Sequence, residues 1–182
     1  MRIDVDNIEP RNFDRGDVRV IQNFLPRTLF KELQEFVMGA NFPWYYNRST
    51  LTNKDDGNFM FVHMFVLNSE VTSSRYEKFS QMLPYVKEAL DYKKLTRMKL
   101  NCYTNQNKKI LHPLHKDVDG QDTKGHAIGV YHFNTCNGET IVNDEKIKSE
   151  ENQIILFDNV PHQGTVQTDT KTRLVLNLNF KK

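Results

Sequence analysis

His115-Lys116-Asp117 places an imidazole and a carboxylate two residues apart. On an extended segment, side chains at i and i+2 project the same way, so both groups can converge on one ion. A third ligand must come from elsewhere, and His162 stands 45 residues after Asp117 in the segment DNVPHQGTVQ. Two histidines and one carboxylate cover one face of an octahedral metal. Three positions then stay open for a chelating organic acid and dioxygen. Taken singly these residues carry little, because an HxD tripeptide arises by chance in many chains. His63, His112 and His126 lie near the same block, so an exchange of ligand is open. His112 ranks lowest of these, since Pro113 follows it and no carboxylate stands two residues on.

Arg173, 11 residues beyond His162, adds weight. A guanidinium directed into a protein interior is costly to desolvate unless an anion meets it, and its planar fork suits a carboxylate. The competing reading is a surface ion pair with Asp169.

These side chains need elements to hold them. Residues 18–25 (VRVIQNFL) read as a short strand, and Pro26 supplies a favourable first helical residue. Leu29, Phe30, Leu33, Phe36 and Val37 follow at helical spacing, predicting an amphipathic helix over about 26–38. The run FMFVHMFVL at 59–67 reads as a buried strand, and 74–91 as a second helix broken or kinked at Pro84. From Thr96 onward, short strand candidates follow one another at 96–105, 110–116, 127–134, 139–142, 153–157, 162–167 and 172–180. That pattern predicts a sandwich, barrel or jelly roll.

Two of these strands have one polar and one apolar face. Arg97, Lys99, Asn101 and Tyr103 oppose Met98, Leu100 and Cys102, and Arg173, Val175, Asn177 and Asn179 oppose Leu174, Leu176, Leu178 and Phe180. Either the polar faces meet water, or helices cover the apolar faces and the polar ones line a site inside a barrel. On the second reading Leu176→Asp should unfold the protein and Asn179→Asp should be tolerated far better. Trp44, Tyr45, Tyr46 and Arg48, with the loop 118–126, are candidate walls of a cleft, although the aromatics could equally be half-buried core.

Composition sets outer bounds. At 182 residues, 38% apolar and 26% charged, the chain reads as one ordinary globular unit with no repeat or linker. The net charge of +2 gives little support to a nucleic-acid surface. No apolar run is long enough to span a membrane, and the opening MRIDVDNIEPRNFDRGDV lacks a signal-peptide core, so a cytoplasmic protein is expected. Cys102 and Cys136 lack CxxC spacing and read as free thiols.

The order HxD, distal His, Arg and alternating strand resembles the double-stranded β-helix 2-oxoglutarate/Fe(II) oxygenases. The similarity is greatest to the prolyl-4-hydroxylase-like branch, including its small phage-encoded members. It covers about 96–182, with a weaker echo at 18–38. The resemblance implies a mainly β (α+β) jelly-roll or cupin-like core over 96–182, with N-terminal helices (within 1–95) packed on one sheet of a single domain. It implies iron on His115, Asp117 and His162, and the distal carboxylate of 2-oxoglutarate on Arg173. It also places Tyr103, Asn101 (an N-x-Y pair in MKLNCYTN), His132 (in GVYHFN, where many members carry tyrosine) and Asn177 around the co-substrate. Asn137-Gly138 stands where Gly-Gly is usual and reads as a turn.

The implied reaction oxidises 2-oxoglutarate to succinate and CO2 with O2 and hydroxylates a substrate, with ascorbate as a candidate helper. A peptidyl or free proline is the first substrate choice by resemblance, and oxidative demethylation of nucleic acid the second. A non-catalytic cupin-like protein that binds metal or a small acid is the alternative from another class. A monomer without membrane partners is expected, in a host cytoplasm if phage-encoded.

Overall fold

The alternation of apolar and polar residues along the last strand decides the architecture, because each set faces a different layer. A computed structural model describes residues 11–15, 17–51, 56–118 and 125–182. The first ten residues and most of the 118–126 loop expected to wall the cleft lie outside the described residues.

The chain opens with β1 (Arg11–Arg15), β2 (Val18–Gln22), α1 (Arg27–Met38), β3 (Tyr45–Asn47), β4 (Met60–Leu67) and β5 (Glu70–Val71). Two short helices follow, α2 (Tyr76–Ser80) and α3 (Leu83–Ala89), then β6 (Lys94–Thr104). The remaining strands are β7 (His126–His132), β8 (Cys136–Val142), β9 (Glu145–Ser149), β10 (Gln153–Asp158), β11 (His162–Gly164) and β12 (Thr172–Lys181). The expected helix over 74–91 is therefore two helices. Pro84 sits in the first turn of α3, where its missing N–H costs nothing, so it starts a helix instead of kinking one.

A large antiparallel sheet runs β1-β2-β10-β7-β12-β6-β4-β3, with β5 paired to β4. A smaller sheet, β11-β8-β9, stands opposite. Two isolated bridges, Leu111 with Thr165 and His115 with His162, attach the segment before Asp117 to the outer side of β11. The expected strand at 110–116 is thus an extended segment pinned at two points. β9 joins β8 through Asn143-Asp144, both at positive φ (47° and 66°), as a two-residue hairpin turn requires.

Leu174, Leu176, Leu178 and Phe180 on β12 and Met98 and Leu100 on β6 point to the helices. There they pack with Phe30, Leu33 and Val37 of α1 and with Phe79, Met82 and Val86. The opposite faces turn toward the small sheet. One part of that interior is an apolar cluster of Val18, Val20, Ile128, Val130, Val142, Ile147, Ile155, Phe157 and Val175. The other part is polar, and Arg97, Lys99, Asn101, Tyr103, Arg173 and Asn177 all line one cleft there. The polar faces therefore belong to a lumen. This is the double-stranded β-helix layout with helices covering one sheet.

Candidate active site

His115 and His162 face each other across an antiparallel bridge, each backbone N–H donating to the other's carbonyl at 3.0 and 2.9 Å. Direct pairing sends both side chains to one face, and the rings lie 4.5 Å apart between centroids. Each Nδ1 lies 3.0 Å from a backbone oxygen two residues earlier, that of Pro113 for His115 and that of Val160 for His162. An Nδ1–H donating to that carbonyl fixes the tautomer and leaves Nε2 as a free lone pair. The two Nε2 atoms stand 3.8 and 3.7 Å from the Asp117 carboxylate oxygens. The three donor groups all lie within 4.8 Å of one another. Metal–ligand bonds of about 2.1 Å would draw the donors to roughly 3 Å apart, a small side-chain adjustment. The donor set fits a divalent metal held on one face.

Asp117 is held as carefully as the histidines. Its side chain is 3% exposed, with Oδ1 accepting from Arg97 Nη2 (3.1 Å) and Oδ2 from Asn177 Nδ2 (2.7 Å). Asn179 Nδ2, with its amide oriented by its neighbours, donates to Oδ2 at 3.2 Å. Burial pushes the Asp117 pKa up, but Arg97, His162, Asn177 and His115 outweigh it and hold the carboxyl below its usual range. Burial likewise lowers the His115 pKa, with His162 adding to the effect, so the neutral imidazole that a metal requires is favoured.

Arg173 lies at the other end of the cleft. It is 2% exposed and touches no carboxylate among the described residues, so the surface pairing with Asp169 does not form. Asp169 instead accepts the Asn137 backbone N–H. Arg173 donates Nε to Ser149 Oγ (2.7 Å), Nη2 to Thr140 Oγ1 (2.9 Å) and Nη1 to the Thr165 carbonyl (3.4 Å). Its Cζ sits 5.7 Å from the Tyr103 ring centroid. Glu139 lies within electrostatic reach but is taken by Lys109. Neutral partners shape the guanidinium's position without cancelling its charge, which leaves a demand for an anion.

The remaining predicted residues divide between the two ends. Tyr103 lies in the cleft wall, stacked on His112 at 4.8 Å. Asn101 also faces the cleft, and its buried Oδ1 lacks a partner among the described residues. His132 is fully buried, with Nδ1 against Gln153 Oε1 (2.9 Å) and Nε2 3.4 Å from Arg173 Nη2. Burial and Arg173 bring its pKa down to about 3, so it accepts from the guanidinium as a neutral ring. Asn177 sits on Asp117 and Arg97 at the metal end, four residues along β12 from Arg173 and on the order of 13 Å away.

His63 is bonded to Pro43 and Ser73 and does not line the cleft; His126 does not line it either. The expected aromatic wall is also absent from the described cleft. Trp44 packs on Phe42 at 5.0 Å, Tyr45 and Tyr46 are exposed on β3, and Thr50 and Leu51 take the place assigned to them. Sequence reasoning put Arg97 and Lys99 on a face that could line the site without giving them a role, and it missed Thr140, Ser149 and Gly138 as site residues. A Cβ on Gly138 would lie 2.6 Å from Arg173 Cδ, so this glycine makes room for the arginine stem. It sits in β8 at a register shift and not in a turn.

Solved structures share this layout. A prolyl-4-hydroxylase from Pseudomonas putida superposes with TM-score 0.60 at 13% identity, over 91% of this chain and 92% of that one. A 2OG-Fe(II) oxygenase family protein from Burkholderia pseudomallei reaches 0.65 at 6% identity, over 91% and 85%. The chain has the fold of the 2-oxoglutarate/Fe(II) oxygenases. HygX from Streptomyces hygroscopicus, solved with nickel and 2-oxoglutarate bound, shares this oxygenase fold at TM-score 0.59 and 8% identity, over 91% and 82%. No family model matches the sequence, and no curated protein matches it either. Shape alone carries the likeness.

Proposed function

We propose that this chain is an Fe(II)- and 2-oxoglutarate-dependent oxygenase acting as a hydroxylase, with residues 1–182 as one functional domain. The observation that carries the reading is the pairing of a facial His115-Asp117-His162 set with a buried, uncompensated Arg173 in one cleft. A metal-binding module without turnover would need the first end and not the second.

His115, Asp117 and His162 would hold Fe(II), which would supply the oxidative chemistry when bound, with 2-oxoglutarate and O2 as the co-substrates consumed. The chain's own groups bind and orient. Arg97 and Asn177 keep the Asp117 carboxylate ionised and aimed. Arg173 receives the distal carboxylate of 2-oxoglutarate, with Thr140, Ser149 and His132 fixing its plane. Asn101 and Tyr103 line the path between the ends. Hydroxylation of proline, free or in a peptide, is the first substrate choice, on the likeness to a prolyl-4-hydroxylase. Ascorbate belongs to the assay as a reductant for the metal.

The test is oxygen-dependent succinate formation from 2-oxoglutarate with added Fe(II). The parent should form succinate, and folded His115→Ala and His162→Ala should not. Succinate formation surviving in the His162 variant would show that the distal ligand is misassigned.

A further inference from the structure

Among the described residues, three cationic side chains, Arg97, Lys99 and Arg173, line the cleft against one carboxylate, Asp117. Fe(II) and the 2-oxoglutarate dianion cancel when both are bound, so loading leaves that surplus in place. Asp56, bonded to the Thr50 amide and hydroxyl at the mouth, offsets one further charge. Arg97 is engaged by Asp117 and Asn177, and Arg173 is the co-substrate's partner. Lys99 is what remains.

Lys99 lies on the lumen face of β6 between Arg97 and Asn101. It pairs in register with Asn177 on β12 and Met64 on β4, which sets its stem beside the metal end. Among the described residues it makes no hydrogen bond and no ion pair. Burial and Arg97 lower its pKa to about 8, with Asp117 acting in the opposite sense. Lys99 is half-buried in the cleft, and with no acceptor among the described residues its ammonium is available to an anion from outside.

We propose that Lys99 anchors a carboxylate on the substrate, so that the oxygenated molecule is an organic acid or amino acid, or an acidic residue of a peptide. This rests on the oxygenase reading and narrows its substrate class. A neutral mid-chain prolyl segment would leave the ammonium unpaired beside the reacting centre. A carboxylate on Lys99 would fix the substrate at one point and orient its C–H bonds toward the metal end.

The experiment uses the Fe(II)-loaded protein with 2-oxoglutarate and follows oxygen-dependent succinate formation over a paired panel. The pairs are free L-amino acids including proline, the same compounds as C-terminal amides, and end-capped prolyl peptides with and without a neighbouring Asp or Glu. Carboxylate-bearing members should stimulate turnover and their neutral partners should not. Free acids against capped acidic peptides then tell which source supplies the group. Lys99→Met should lower kcat/KM for the active member by about 30-fold or more, and Lys99→Arg should recover much of it. The anaerobic Fe(II)–2-oxoglutarate absorption band of Lys99→Met should saturate as in the parent. Equal turnover of acids and amides, or an unchanged kcat/KM in Lys99→Met, would overturn the proposal. So would a panel with no active member while the band forms. A weakened band in Lys99→Met would assign the lysine to the co-substrate instead. A parent without the band would sink the oxygenase reading itself.

Discussion

At the scale of single residues, the two ends of the cleft are supported by different neighbours, and that separation is measurable. Asn177 holds Asp117, so Asn177→Ala should weaken metal binding by about 10- to 100-fold and leave 2-oxoglutarate half-saturation nearly unchanged at saturating metal. Gly138 makes room for the Arg173 stem, and a methyl there forces an overpacking cost of about 1–3 kcal/mol on the arginine. Gly138→Ala should therefore raise the half-saturating 2-oxoglutarate concentration by roughly tenfold and leave metal affinity alone. Metal and co-substrate titrations of both variants check this; the same phenotype in both would mean that the ends are not independent. His115, Asp117, His162 and Arg173 were legible in the sequence because type and order alone suggest a metal and an anion. The Arg97–Asp117 and Asn177–Asp117 contacts and the parts of Thr140 and Ser149 were not, since each joins residues 20 to 60 positions apart and leaves no local pattern.

At the scale of elements, β12 carries the strongest signal. Its apolar set packs under the helices and its polar set lines the cleft, as alternation predicts. Leu176 is fully buried, so Leu176→Asp places an unpaired carboxylate among apolar side chains and should cost more than about 4 kcal/mol, enough to unfold most of the protein. Asn179→Asp, expected from the sequence to be tolerated far better than Leu176→Asp, still carries a cost in the structure. It would replace a donor to Asp117 Oδ2 with a second carboxylate at about the same 3.2 Å. Its melting temperature should fall measurably, though less than that of any folded Leu176→Asp, and equal tolerance at both sites would contradict the two-faced strand. β9 escaped the sequence reading because Glu145, Lys146 and Lys148 are exposed and only Ile147 and Ser149 point inward. The Asn143-Asp144 pair was the signal that could have found it. The break in the helical region over 74–91 is legible from Pro84, but its place at Gln81–Met82 is not, because no single residue there announces it.

At the scale of the whole molecule, the lumen buries two histidine rings as neutral groups. Burial and Arg173 lower His112 to about 4 and His132 to about 3. In the unfolded chain both take up protons near the ordinary value of about 6.5, so below that pH unfolding gains protons that the folded state refuses. Stability of the metal-free protein should be full above about pH 6.5. It should then fall steadily toward pH 4, with a slope of about 1.4 kcal/mol per pH unit for each ring. Urea denaturation between pH 7.5 and 4.5 reads this directly, and a flat profile would mean that the rings are not sealed in the lumen.

On the proposed function, one cleft holds a metal at His115, Asp117 and His162 and a 2-oxoglutarate carboxylate at Arg173. Anaerobic titration of the Fe(II)-loaded protein with 2-oxoglutarate, followed through the weak visible absorption band of the chelate, tests both halves together. The parent should develop the band and saturate, and His162→Ala should show none. Arg173→Ala should bind Fe(II) as before yet need about 30- to several-thousand-fold more 2-oxoglutarate, with Arg173→Lys between, because it keeps the charge and loses the fork. A well-folded parent without the band, or an Arg173→Ala variant that saturates at the parent's concentration, would contradict the claim.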